Sequence, residues 1–280
     1  MLCIRGVRDA AIGHDHALIV ADSDGLSELL QLRTGGGAPT AEWRELPAGE
    51  GVRRVAVGMS HAAVVTTSGR LHAWQLPSYT GASSIDINSW SPGEDAELLD
   101  VCCGMKSVLA VDSRGWLWLA GCNRRLGVNS PGAPVRVDTS SMGLPADVKW
   151  ASVCCGWSHA VARGVRPDGS LCFVGLGRDD LCQLGGGGAG PLLLPPDVVS
   201  VWCGPEHTLA ADIEGHMWSC GWGEHGNLGV GKSASLEGGP GSGLGSTWVK
   251  VDMGAMAGAR EGQVACGGAH CIVLARFGQE

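Results

Sequence analysis

The chain has 280 residues, enough to bury a sizeable core, and a net charge of −8 with no run of Lys or Arg. That balance excludes the basic surface that phosphate backbones require, so direct nucleic-acid binding is not expected. No apolar run approaches the ~20 residues that span a bilayer, and the opening MLCIRGVRDA lacks the apolar core of a secretory signal, so neither membrane insertion nor export is expected.

Gly accounts for 46 residues, while Phe and Tyr together supply 3, and short apolar runs alternate with glycine-rich turns. This pattern points to an all-β protein rather than to long 3.6-period helices. Residues 1–12 hold MLCIRG and VRDAAI, which read as strand and lead-in. From there a Gly-x-x-His anchor recurs: Gly13 (GHDHALIV), Gly58 (GMSHAAVV), Gly156 (GWSHAVAR), Gly204 (GPEHTLAA) and Gly267 (GGAHCIVL). Gly104 (GMKSVLAV) is a sixth, with Ser107 in the His place. A turn glycine follows 11 to 13 residues later at Gly25, Gly69, Gly115, Gly169 and Gly215, and each opens a second apolar run. Two marks at a near-constant offset define an internal repeat.

The repeat units read as 13–57, 58–103, 104–155, 156–203, 204–266, and 267–280 completed by 1–12. Each holds three or four short strands and cannot bury both faces of its own sheet. Radial stacking solves this, so the expected architecture is one β-propeller domain over 1–280, of about six blades. The last anchor stands 11 residues before Gly278, so the chain ends where a hairpin should turn. Met1 to Gly6 is then expected to pair antiparallel with Cys271 to Arg276, closing the ring with strands from both termini. The anchor His rings come from different blades and are expected to hydrogen-bond backbone of the next blade.

Twelve cysteines invite a metal or disulfide reading. Cys103, Cys155, Cys203 and Cys266 all precede an anchor glycine, and no C-x-x-C occurs. They read as small buried hydrophobes in a reducing compartment, cytoplasmic or nuclear, with no metal and no cofactor expected. Gly226 to Ser233, GNLGVGKS, fits a phosphate-binding loop pattern, but ASLEGGPGSGLG follows and cannot supply the helix that such a loop needs. No nucleophile is tied to Glu224 and His225, so no catalytic residues are expected.

The sequences CGWSHAVA (155–162), CGPEHTLA (203–210) and GWGEHGNLG (221–229) resemble the regulator of chromosome condensation repeat. Within that family they look like the subgroup of the secretion-regulating guanine nucleotide exchange factor and the killer-toxin-insensitivity propeller. The latter is an accessory of diphthamide synthesis and of Elongator-dependent tRNA modification. The resemblance implies a propeller, with seven blades as the family's usual count. It implies a non-enzymatic role binding a small partner protein or a larger assembly, or alternatively nucleotide exchange on a small GTPase. Loop residues that the repeat does not consume are the candidate partner contacts: Trp157, Asp179, Asp180, Trp222, Glu224, His225 and Asn227. For exchange, the segments 75–97 and 233–247 are the candidate wedges.

Overall fold

The structure, a computed structural model, describes residues 7–23, 26–33, 40–44, 46, 50–76, 85–230, 248–251, 261–267 and 270–276. Strands dominate; the described residues contain no α-helix, only two single 3-10 turns at Arg124–Leu126 and Ser140–Met142. No helix among them is long and apolar enough to cross a membrane.

The strands form successive antiparallel sheets. β1 (Val7–Ile12), β2 (His16–Ser23), β3 (Leu26–Arg33) and β4 (Thr40–Arg44) make the first. β5 (Val52–Val57), β6 (His61–Thr66), β7 (Leu71–Gln75) and β8 (Ile87–Trp90) make the second. β9 (Leu98–Cys103), β10 (Ser107–Asp112), β11 (Leu117–Asn123) and β12 (Val128–Arg136) make the third. β13 (Lys149–Cys155), β14 (His159–Val165), β15 (Leu171–Gly177) and β16 (Gly190–Pro191) make the fourth. β17 (Val198–Cys203), β18 (His207–Asp212), β19 (Met217–Gly221) and β20 (Val249–Lys250) make the fifth. β21 (Glu261–Cys266) and β22 (Cys271–Arg276) pair as a two-stranded sixth. In every four-stranded sheet the strands lie in chain order or its reverse, a meander of hairpins.

Each sheet begins one strand before its anchor glycine, so units counted from anchor to anchor are offset from the sheets by that strand. The anchor is the tight turn between a sheet's first two strands. Two compact units are present, one of Met1–Val137 with Lys149–Val153 and the other of Asp138–Val148 with Cys154–Glu280. The expected pairing of Met1 to Gly6 with Cys271 to Arg276 lies outside the described residues.

The second strand of a sheet reads as an unbroken apolar run because it is packed on both faces. All six residues of β6 and of β10 are buried. In the first unit, Ala63 and Val65 pack with Leu98, Val108 and Ala110 of the next sheet, while Ala62 and Val64 join Leu18, Val20 and Leu29. In the second unit Val161, Phe173, Leu184, Ala210, Cys220 and Trp248 form the equivalent core.

The anchor turn is the same six times. The glycine N–H donates to the carbonyl three residues on, from Gly13 to His16, Gly58 to His61, Gly104 to Ser107, Gly156 to His159, Gly204 to His207 and Gly267 to His270, at 2.8–2.9 Å. Proximity, rather than backbone angle, demands glycine here. A Cβ on Gly13 would collide with the Gly58 carbonyl, on Gly58 with that of Gly104, and on Gly156 with that of Gly204. The imidazoles then reach the following sheet. His61 Nε2 donates to the Ser107 carbonyl at 2.8 Å, as expected. His159 also bonds backbone of the next sheet, at His207, and meets Thr208 Oγ1 at 3.0 Å. His207 instead meets a side chain, Cys271 Sγ, at 3.0 Å. His16 Nδ1 bonds its own neighbour, Asp15, at 2.7 Å.

The hairpin turns that follow need left-handed backbone, found at Gly69, Gly115, Gly169 and Gly215. Asp112, fully buried, fixes one of them. Its Oδ1 accepts from Arg114 N and Trp116 N, and its Oδ2 from the Arg114 guanidinium and Trp118 Nε1. Asp168 accepts from Ser170, through its hydroxyl and its N–H, in solvent.

Asp112→Ala strips partners from four donors and is expected to cost about 3 kcal/mol of unfolding free energy. Asp168→Ala should leave the denaturation midpoint nearly unchanged; equal effects would refute the assignment. The buried imidazoles also predict acid sensitivity. Burial lowers the pKa of His61 from 6.5 to about 4 and that of His159 to about 3. Unfolding lets both rings take up protons below pH 6.5, so this contribution is complete above 6.5 and is lost as pH falls towards 4. Between pH 7 and 5 each ring should lower stability by about 2 kcal/mol. The slope of stability against pH should therefore be shallower in His61→Gln than in the parent chain.

Candidate functional site

In the second unit, the loops after β15 and β19 share one conformation. In GRDDLCQLG (177–185), Cys182 N donates to Asp179 O at 3.0 Å and Gly185 N to Cys182 O at 3.1 Å. In GWGEHGNLG (221–229), Gly226 N donates to Gly223 O at 3.2 Å and Gly229 N to Gly226 O at 3.0 Å. Left-handed backbone falls at matching places, Cys182 with Gly226 and Gly185 with Gly229. Leu184 and Leu228 plug both loops into the core, and Gln183 and Asn227 are buried beside them.

Main-chain bonds tie these loops to the anchor turns. Arg178 N donates to Ser158 O, Trp222 N to Glu206 O and Trp157 N to Pro205 O, each at 2.8 Å. Side chains knit the same patch. Gln183 Nε2 donates to Glu206 Oε2 at 2.6 Å, Arg178 reaches Glu206 Oε1 at 3.4 Å, and Arg178 pairs with Asp180.

The seven expected contact residues are thus brought onto adjoining turns, with divided roles. Asp179 is a scaffold: Oδ1 accepts from Leu184 N at 2.7 Å and Oδ2 from Gly188 N at 2.7 Å. Asn227 is another, its Nδ2 donating to Trp222 O at 2.6 Å. Trp157 and Trp222 are half-buried, and Asp180, Glu224 and His225 are exposed. The Trp222 and His225 rings meet edge to face at 4.8 Å between centroids. The exposed result is an aromatic pair with the Glu224 carboxylate on the same loop, without a nucleophile hydrogen-bonded to a base among the described residues of these loops. Sequence reasoning missed Arg178 and Glu206, whose pairing depends on two different sheets. The lysine of the GNLGVGKS stretch, Lys232, lies outside the described residues. Gly226 to Gly229, inside them, belongs to the repeated loop.

A second cluster lies at the turn between β21 and β22. His207 Nε2, Cys266 Sγ and Cys271 Sγ are all within 4.8 Å of one another. The hydrogen bond from Cys266 lowers the Cys271 thiol pKa to about 5 against the opposing effect of burial, with His207 assisting. The same bond and burial push Cys266 up. Nearby, the Cys154 and Cys203 sulfurs lie 3.2 Å apart. All eleven described cysteines are free thiols, but several sit in polar company that a purely apolar reading does not anticipate.

No family model matches the chain. The regulator of chromosome condensation of Mus musculus is 27% identical over 220 residues, covering 66% of this chain and 51% of that protein. The secretion-regulating guanine nucleotide exchange factor of Bos taurus is 26% identical over 230 residues, covering 67% of this chain and 47% of that protein. The chain therefore spans about half the length of these curated relatives. Among solved structures, yeast RCC1 (Prp20), crystallised with Kap60, superposes with a TM-score of 0.69 at 18% identity, covering 96% of this chain and 68% of that one. With the sixfold anchor turn and the four-stranded meanders, these matches show a β-propeller fold like that of the regulator of chromosome condensation.

Proposed function

We propose that the chain is a non-enzymatic interaction propeller that binds a partner protein on the loops after β15 and β19. The observation that carries this reading is the Trp222–His225 pair. It stands at the surface on a loop pinned from beneath by Asn227 and Leu228, with Glu224 exposed on the same loop. A rigidly held aromatic with a polar rim is the composition of an interface hot spot. The acidic rim favours a partner with basic or amide-rich surface. The resemblance of the loop and anchor sequences supports reading this role as that of an accessory of a larger assembly in translation-factor or tRNA modification, in the cytoplasm or nucleus. We take 1–280 as one propeller domain.

A second reading is nucleotide exchange on a small GTPase, favoured by the match to the secretion-regulating exchange factor. Exchange needs a segment that wedges into the nucleotide site. Of the candidates, 233–247 lies outside the described residues, whereas 75–97 is described except for 77–84 and carries β8.

Affinity capture from a cell extract, followed by titration of the recovered partner, tests the first reading. Trp222→Ala should weaken binding at least tenfold, about 1.4 kcal/mol, with the melting midpoint unchanged. Glu224→Lys should slow association and flatten its salt dependence. Normal binding by both variants would dismiss this face. Release of labelled GDP from a panel of small GTPases separates the second reading: acceleration by the chain supports exchange, and rates equal to the intrinsic ones remove it.

A further inference from the structure

The thiols at the last described hairpin set it apart from the first, second, third and fifth sheets. In each of these four sheets, the residue before the anchor glycine faces one partner across the turn. These pairs are Ile12 with Ala17, Val57 with Ala62, Cys103 with Val108 and Cys203 with Thr208. At the sixth turn the pair is Cys266 with Cys271, a thiol on both sides. The imidazole that reaches this position from the preceding sheet is that of His207. The equivalent ring one sheet earlier, His159, finds a hydroxyl instead.

We propose that His207, Cys266 and Cys271 form a binding site for a thiophilic divalent cation, zinc, with three protein ligands and a fourth position open to solvent. Two thiolates and one imidazole suit zinc in charge and softness. A tetrahedral site spaces its S and N ligand atoms by roughly 3.5–3.8 Å. The 3.0 Å between His207 Nε2 and Cys271 Sγ opens to that value with a sub-ångström shift. Cys271 and the neighbouring His270 line a cavity of about 350 Å³ shared with His225, Met217 and Val273, which gives the ion a path and leaves room for a water ligand. The thiol protons leave to solvent as the ion binds. Because the ligands come from β18 and from the ends of β21 and β22, the ion would clip the two-stranded sheet to the fifth sheet.

The test uses the full chain, purified with a thiol-free reductant, loaded with Zn2+ or Co2+ and passed through gel filtration. The expected result is about one metal per chain by mass spectrometry and, with cobalt, a thiolate charge-transfer band. Cys266→Ser and Cys271→Ser should each lose both signals, whereas Cys122→Ser keeps them. EDTA should lower the melting midpoint of the zinc-loaded parent and not that of the double serine variant. If the serine variants aggregate, alkylation mapping of the parent decides, with zinc protecting Cys266 and Cys271 and leaving Cys122 reactive. A parent chain that retains no metal, a cobalt band that survives in the double variant, or zinc that protects neither cysteine would each overturn the site.

Discussion

The structure depends on a close approach between glycines. Each anchor turn is closed by its own N–H to carbonyl bond, and at Gly13, Gly58 and Gly156 the missing Cβ lets the next turn's carbonyl lie where a side chain would otherwise be. Once adjoining turns are seated this closely, the second strands of neighbouring sheets face each other across small residues such as Ala63 and Ala110. The neutral imidazole crossing to the next sheet becomes possible for the same reason. Its cost is desolvation, and a single good hydrogen bond from each ring offsets that cost only while the ring is uncharged.

From that constraint the position of the loops follows. The third strand returns to the anchor end of its sheet. The first loop residue, Arg178 or Trp222, is therefore bonded through its main chain to the preceding anchor turn. What varies between the loops is the side chain presented at that fixed point. In one it is an arginine committed to Asp180 and Glu206; in the other it is a tryptophan against His225. A rigid frame with exchangeable loop chemistry is the usual division of labour in binding scaffolds.

Much of this was legible in the residues. The anchor glycines, the turn glycines and the unbroken apolar runs each have one physical cause, and the structure places them accordingly. The sheet boundaries were less legible, because the strongest mark, the anchor glycine, stands one strand inside each sheet rather than at its edge. The fourth strands β16 and β20, two residues each, hold too little pattern to be read at all. At the site, Asp179 and Asp180 look alike in sequence, yet the backbone amides of Leu184, Gly186 and Gly188 claim one and leave the other exposed. The thiol cluster was hidden by the rule that metal ligands sit two residues apart. Here two thiols meet across a hairpin and the imidazole arrives from another sheet.

The pinned loop also bears on how a partner would be met. Asn227 and Leu228 hold the backbone of GWGEHGNLG, so the Trp222 indole is already in place before encounter and little main-chain entropy remains to be lost. Association at such a surface is governed by diffusion and charge rather than by rearrangement, and the lifetime of the complex carries the differences between one partner and another.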